Sequence, residues 1–248
     1  MTARNVAAIA SLALLGVTAG CTSFYEVPIE TPIQAKLDVG AFRRVLVAGF
    51  ISGGTEDVDG NLETTRLLRS QLRTKSSLRV IDADSLPLQD VAAEGRESEQ
   101  APPAAVKDEK DLDAYANLFA NVEYWKKIGE EYQQPLIVTG TVLFTPHQRN
   151  SIVQREEEVY DSFGRRRVVP VRTYQERKGF ILSPKFIFID GRTGTVMHST
   201  TAREEILYNA NQATPALSSY FELMDRVIPS FLSTLSSQKI KGTRILLQ

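Results

Sequence analysis

The sequence predicts an α/β (α+β) fold: a mixed sheet with flanking helices, a βαβ start, then antiparallel strands and a C-terminal helix. Three observations lead there. The apolar run Val45-Leu46-Val47-Ala48-Gly49-Phe50 is followed by a helical stripe and then by Leu78-Arg79-Val80-Ile81-Asp82, the strand, helix, strand order of a parallel pair. Between residues 136 and 208, extended segments are joined by short turns, as antiparallel strands are. Residues 215–235 then repeat Leu217, Tyr220, Phe221, Met224, Ile228, Phe231, Leu232 and Leu235 along one side of a helix.

Taken in order, the chain opens with Arg4, an apolar core from Val6 to Val17, and the small residues Thr18-Ala19-Gly20 directly before Cys21, its only cysteine. This is the pattern of a lipoprotein signal peptide, residues 1–20, with acyl chains such as palmitate expected on Cys21 after cleavage. An ordinary cleaved leader followed by a free thiol, or an uncleaved anchor, are the other readings, and Thr18 stands where Leu is usual. The apolar run is short for a membrane span, whereas each acyl methylene buried in lipid contributes about 0.8 kcal/mol. The expected attachment is therefore a lipid tether to the membrane, not a crossing.

Residues 21–40 contain Val27-Pro28 and Thr31-Pro32 without sustained periodicity and read as a lipidated tether leading to a single domain over 41–248. The first strand runs from Arg43 to Phe50 and ends at Gly53-Gly54. Asn61 is placed to cap a helix carrying Leu62, Thr65, Leu68 and Leu72 on one face. Residues 91–111, with Pro102-Pro103 and few large apolar side chains, read as a mobile insertion. A helix is expected over Leu112–Tyr132, stopped by Pro135, and a central strand over Leu136–Phe144.

Ser151–Tyr160 and Arg167–Arg177 follow as a separate, charged hairpin arm, residues 151–177, turning at Ser162-Phe163-Gly164-Arg165. Laid out on that turn, Asp161 faces Arg166 and Tyr160 faces Arg167. Phe180–Ile189 is the next strand, Asp190-Gly191-Arg192-Thr193-Gly194 a turn, and Val196–Tyr208 the antiparallel return. The last helix spans Pro215–Leu235 with Pro229 inside it, and Thr243–Leu247 can add an edge strand.

Composition excludes some chemistry. Lys plus Arg number 29 against 30 Asp plus Glu, a net charge of −1, so a nucleic-acid partner is not expected. With Cys21 lipidated no thiol remains for a disulfide, a zinc site or a nucleophile. His147 and His198 lie in no metal or nucleophile spacing and read as exposed surface residues. Asp57, Asp59, Asn61 and Glu63 alternate around Gly60 as calcium ligands do, but Leu68 stands where the loop needs a bidentate carboxylate, which favours a helix cap. Gly49, Gly53 and Gly54 spell neither phosphate-binding glycine pattern. No enzyme, cofactor or metal is expected, and no catalytic residue is nominated.

The strands Val45–Phe50, Leu78–Asp82, Leu136–Val142 and the segment Ile187–Tyr208, with its Asp190-Gly191-Arg192-Thr193-Gly194 turn, resemble a set of envelope α/β domains. These are the curli-export channel lipoprotein, the amino-terminal domain of the Tol translocation protein and the outer-membrane lipoprotein activators of peptidoglycan synthases. The resemblance covers roughly residues 43–235 and implies a periplasmic mixed sheet that acts through protein partners. Lipoprotein families imply delivery to the outer membrane as well, since Thr22 stands where Asp would retain many at the inner membrane.

The curli-export relative builds a barrel from protomer hairpins, and a lipid-facing strand must alternate apolar residues. Here Glu156-Glu157-Glu158 and Arg165-Arg166-Arg167 place charge on both faces of the arm, which argues against a pore. The sequence therefore supports an outer-membrane lipoprotein that assembles or regulates an envelope machine. Its expected partners are envelope proteins or further copies of itself, bound through Glu156, Glu157, Glu158, Arg165, Arg166 and Arg167; the alternative is an oligomeric export-channel subunit.

Overall fold

The computed structural model describes residues 24–94, 106–209, 211–212 and 215–247. The expected signal peptide, Cys21 and residues 95–105 of the expected insertion lie outside them. Contacts divide the chain into two units, Ala35–Ser236 and a smaller one that joins the segment ending at Gln34 to Ser237–Gln248.

The larger unit is a mixed sheet between two helical layers, the α/β class read from the sequence. Its strands are β2 (Arg44–Gly54), β3 (Arg79–Ile81), β4 (Leu136–Tyr160), β5 (Arg166–Asp190), β6 (Val196–Thr201) and β7 (Glu204–Asn209). They run in the order β3-β2-β4-β5-β6, with β7 also paired to β5. β2 is parallel to β3 and to β4, and all other pairings in this sheet are antiparallel.

Apolar residues fill both faces of the sheet because helices cover both. Helix α1 (Gly60–Lys75) and the C-terminal helix (Ala216–Leu235) pack Leu68, Leu72, Tyr220, Met224 and Phe231 against Val138, Phe144, Phe186 and Phe188. On the opposite face lie helices α2 (Leu88–Glu94), α3 (Glu109–Asp113), α4 (Ala116–Phe119) and α5 (Val122–Glu131). They bring Leu88, Leu112, Phe119 and Trp125 onto Ile51, Ile137, Leu143, Ile187 and Ile189. Phe231 is fully buried, with ring centroids 5.0 Å from Phe186 and 5.7 Å from Phe188. Ala216–Leu235 is α6 below.

A bulge lets β2 serve both faces. The β2–β4 register shifts between Val47 and Gly49, where Gly49 takes φ +119°. Before it Val45 and Val47 face the α1 and α6 layer; after it Phe50 does, so the inward pattern changes parity. The loosened backbone is not left unsatisfied. Phe50 N–H donates to Asn61 Oδ1 at 2.8 Å, and the buried Thr139 hydroxyl donates to Gly49 O at 2.9 Å. Asn61 therefore ties the first turn of α1 to the bulge, and the cap is Asp59, whose carboxylate accepts from Leu62 N–H, instead of Asn61 as expected.

Other boundaries differ from the sequence reading for local reasons. The expected helix over 112–132 is three short helices, because Asn121 caps a new one by accepting from Tyr124 N–H. The fully buried Trp125 ring spans the break by donating to Leu118 O at 2.9 Å. The expected return strand 196–208 is split, since Ala202 N–H turns to Pro184 O. The expected mobile insertion starts inside α2, and its far flank packs: Val106 is 6% exposed and its carbonyl accepts from Gly54 N–H.

The smaller unit is a two-stranded antiparallel ribbon. Residues expected to be a tether form β1 (Phe24–Ile33), paired over its whole length with β8 (Gln238–Leu247). The tail expected to add an edge strand thus has a partner from the other end of the chain. The sequence signal was weak because Pro28 and Pro32 interrupt β1, while the ladder that defines it comes from a segment distant in sequence.

Gly129 on α5 packs so closely on the β5–β6 turn that a Cβ there would lie 1.7 Å from Gly191 O. Gly129→Ala should cost about 1–3 kcal/mol through overpacking against backbone, read as a lower midpoint in chemical denaturation. In the same turn Arg192 donates from Nη2 and Nε to the Asp190 carboxylate at 2.8–3.2 Å, and its guanidinium lies 4.7 Å from the Phe42 ring centre. Those side-chain bonds, with a smaller contribution from Arg192 N–H and against some desolvation, hold the Asp190 carboxyl below the usual carboxylate range. Its contribution to stability is therefore present above the unfolded value of about 3.9 and is lost as pH falls through the lower folded value. The stability gap between wild type and Asp190→Asn should shrink on acidification from neutral to about pH 3, measured by denaturation at each pH.

Candidate interaction arm

The expected central strand and arm are one continuous element. β4 and β5 pair without a register break from Leu136↔Asp190 to Tyr160↔Arg166, so Leu136–Phe144 and Ser151–Tyr160 belong to the same strand. The inner end is held on its flanks as well: β2 pairs with β4 as far as Phe144, and β7 pairs with β5 from Arg177 inward. Beyond those points the outer edges of both arm strands have no strand partner among the described residues. From Asn150↔Glu176 to Tyr160↔Arg166 the free ladder is about 34 Å long at about 3.4 Å per residue.

The tip is built around one carboxylate. Asp161 Oδ1 accepts from Phe163 N–H at 3.0 Å and from Arg165 N–H at 2.9 Å, and Gly164 sits at φ +73°. Arg165 Nε also reaches Asp161 Oδ2 at 3.1 Å, while Arg167 Nε lies 3.6 Å from it. Asp161 is thereby drawn into the loop, and the ladder closes one residue earlier than expected: Tyr160 opposes Arg166 and Val159 opposes Arg167.

Alternation then distributes five of the six expected partner-binding residues, Arg165 lying in the turn. Glu156, Glu158 and Arg166 share the face that continues the α1 and α6 side of the sheet, and Glu157 and Arg167 take the other. Arg166 pairs with Glu158. Arg165 and Arg167 serve the tip carboxylate. Glu156 and Glu157 stand opposite Pro170 and Val169 with no cationic partner among the described residues. All six are exposed, so their pairing contributes little to stability.

A feature not read from the sequence is an apolar path on the first face. Ile152 and Tyr174 oppose each other at 72% and 64% exposure, Val168 and Tyr160 on the same face are also open to solvent, and Phe163 is exposed at the turn. The available signal was a tyrosine and an isoleucine in strands otherwise dense with charge, where a merely solvated hairpin has no need of them.

The remaining candidates resolve differently. His147 Nε2 lies 3.3 Å from Glu205 Oε1, and the His198 ring centre lies 6.0 Å from that of Phe188. Both are half-buried instead of exposed, because β7 and β5 pack beside them. Among the described residues no three His, Cys, Asp or Glu side chains converge to hold a metal ion. A polar crevice of about 530 Å³ opens beyond the carboxyl end of β2, between Ser52, Thr55, Asp59, Gln89 and Lys107. Its glycine loop is not an anion cradle: Gly54 N–H donates to Val106 O and Thr55 N–H to Phe144 O. No described helix is long and apolar enough to cross a membrane.

No protein-family model matches the chain. No curated protein sequence matches it either. Among solved structures it is similar to the lipoprotein GNA1162 from Neisseria meningitidis, at 15% identity and TM-score 0.35, over 76% of this chain and 96% of that one. It is also similar to a putative neuraminyllactose-binding hemagglutinin homolog from Helicobacter pylori, at 12% identity and TM-score 0.37, over 82% and 88% of the two chains. Likeness at this level assigns neither a family nor a function.

Asp161→Ala should fray the tip while leaving the core intact. Amide hydrogens of the outer ladder, residues 155–167, should exchange faster with the thermal midpoint unchanged, because a terminal loop of an exposed hairpin adds little to global stability.

Proposed function

We propose that this chain is an outer-membrane lipoprotein, anchored through Cys21 on the periplasmic side, that acts without catalysis as an assembly or regulatory component of an envelope machine. The observation that supports the reading best is the arm. A hairpin about 34 Å long whose two outer edges are unpaired adds nothing to the core, and it presents Tyr174, Ile152 and Val168 among the unpaired acids Glu156 and Glu157 and the exposed arginines Arg165, Arg166 and Arg167. Apolar anchors interleaved with both signs of charge suit a protein surface, where the apolar groups supply affinity and the charges set register.

The length of the arm is also what a channel subunit needs, since a strand of about ten residues crosses a bilayer. The faces weigh against it. One carries Glu156, Glu158, Arg166 and Arg172 and the other Arg155, Glu157 and Arg167, so either orientation sets charges in hydrocarbon. An arginine at mid-membrane costs about 2–4 kcal/mol.

Photocrosslinkers placed at Tyr174 and Val168 in intact cells should give discrete envelope-protein or self adducts. Replacing Glu156–Glu158 and Arg165–Arg167 together by Ser should remove those adducts with unfolding within about 0.5 kcal/mol per site of wild type. Planar bilayers containing purified lipidated protein should stay silent. Stepwise conductance would replace this reading with the channel subunit.

A further inference from the structure

We propose that the end of the β1–β8 ribbon nearest Cys21 is a contact with the bilayer surface, made by Phe24 and Tyr25 of β1 and Ile245, Leu246 and Leu247 of β8; the inference rests on lipidation of Cys21. The register sets Phe24 opposite Leu247, Tyr25 opposite Leu246 and Glu26 opposite Ile245, so five of the six residues in the last three pairs are apolar. At the other end the three pairs are Thr31↔Ile240, Pro32↔Lys239 and Ile33↔Gln238, in which three of the six residues are apolar. Apolar residues from two strands remote in sequence are thus densest at the end next to the anchor.

A leash of three residue steps separates Cys21 from Phe24, and such a leash reaches at most about 11 Å. The acyl chains would lie in hydrocarbon, and the headgroup layer above them is about 5–8 Å thick. The leash thus holds the first pairs of the ribbon in or just above the headgroups, whatever their chemistry. Their composition fits, since aromatic and aliphatic residues favour that boundary.

The ribbon also has need of a cover. A two-stranded sheet in water is marginal, and Ile245 is 61% exposed. Arg244, in the next pair and exposed, adds attraction to anionic headgroups. A second copy of the ribbon is the competing cover, but it brings no reason for the apolar pairs to sit beside the anchor.

The test uses tryptophan quenching in the lipidated full chain. The one native tryptophan, Trp125, is fully buried and gives a constant background. Ile245→Trp and, as a second variant, Tyr25→Trp are reconstituted in phosphatidylethanolamine–phosphatidylglycerol vesicles with or without brominated acyl chains, beside Val168→Trp on the arm. The expected result is loss of fluorescence at both ribbon positions in brominated vesicles, with the arm position unchanged. Absence of quenching at both ribbon positions in protein whose intact mass shows an acylated Cys21 overturns the contact alone, as does a ribbon tryptophan shielded equally with and without bromine by a second copy. An intact mass without acyl chains overturns the lipidation reading and the contact together. Quenching at Val168 overturns the water-exposed arm and leaves the ribbon result standing.

Discussion

The larger unit depends on a single antiparallel ladder. β4 and β5 form the middle of the sheet, so β2 and through it β3 hang on one side while β6 and β7 hang on the other. Both helical layers close on side chains that alternate along these two strands: Phe186 and Phe188 toward α6, Ile187 and Ile189 toward α4 and α5. Once this pairing is in register, every apolar residue of the inner sheet already points to a layer that can bury it. Where the helices and flanking strands stop, the ladder goes on without them.

Around that ladder, irregular backbone appears where two requirements meet. The Gly49 bulge keeps both faces of β2 apolar, and Asn61 and Thr139 satisfy the groups it frees. Tyr220 completes the same region from α6: its buried hydroxyl donates to Gly60 O at 3.2 Å and is linked to Thr64, and burial pushes its ionisation well above the usual phenol value. The first turn of α1 is thereby joined to β2 and to α6 by polar contacts inside an apolar layer. Such contacts specify one arrangement where apolar packing alone would accept several.

Much of the inner sheet was legible because it obeys burial. The run Val45–Phe50 is apolar on both faces, the 136–144 and 180–189 strands likewise, and α6 keeps one apolar stripe; each pattern has a direct structural cause. The Asp190–Gly194 turn was legible from residues that accept positive φ, and Gly194 does, at +77°. What escaped is what burial does not govern. The continuity of β4 past Pro146 and of β5 past Gly179 lies in an exposed ladder, where backbone pairing needs no apolar alternation. The tip register turned on one carboxylate hydrogen-bonding to its own loop, and β1 on a partner more than two hundred residues away. Within the arm, charge was visible in the sequence, but Ile152 and Tyr174 become a pair only when the strands are aligned.

Continuity between core and arm has a mechanical meaning. In a strand the side-chain period is two, so a shift of one position exchanges the two faces everywhere along it. The packed phenylalanines at the inner end therefore decide which charges look which way at the far tip, and the arm cannot slide or rotate its pattern independently. Its aim is inherited from the core as a key inherits the orientation of its bow. Conversely, one residue inserted near Gln148, at the foot of the free ladder, would leave the folded unit intact and present a partner with the mirror assignment of every outer side chain on that strand.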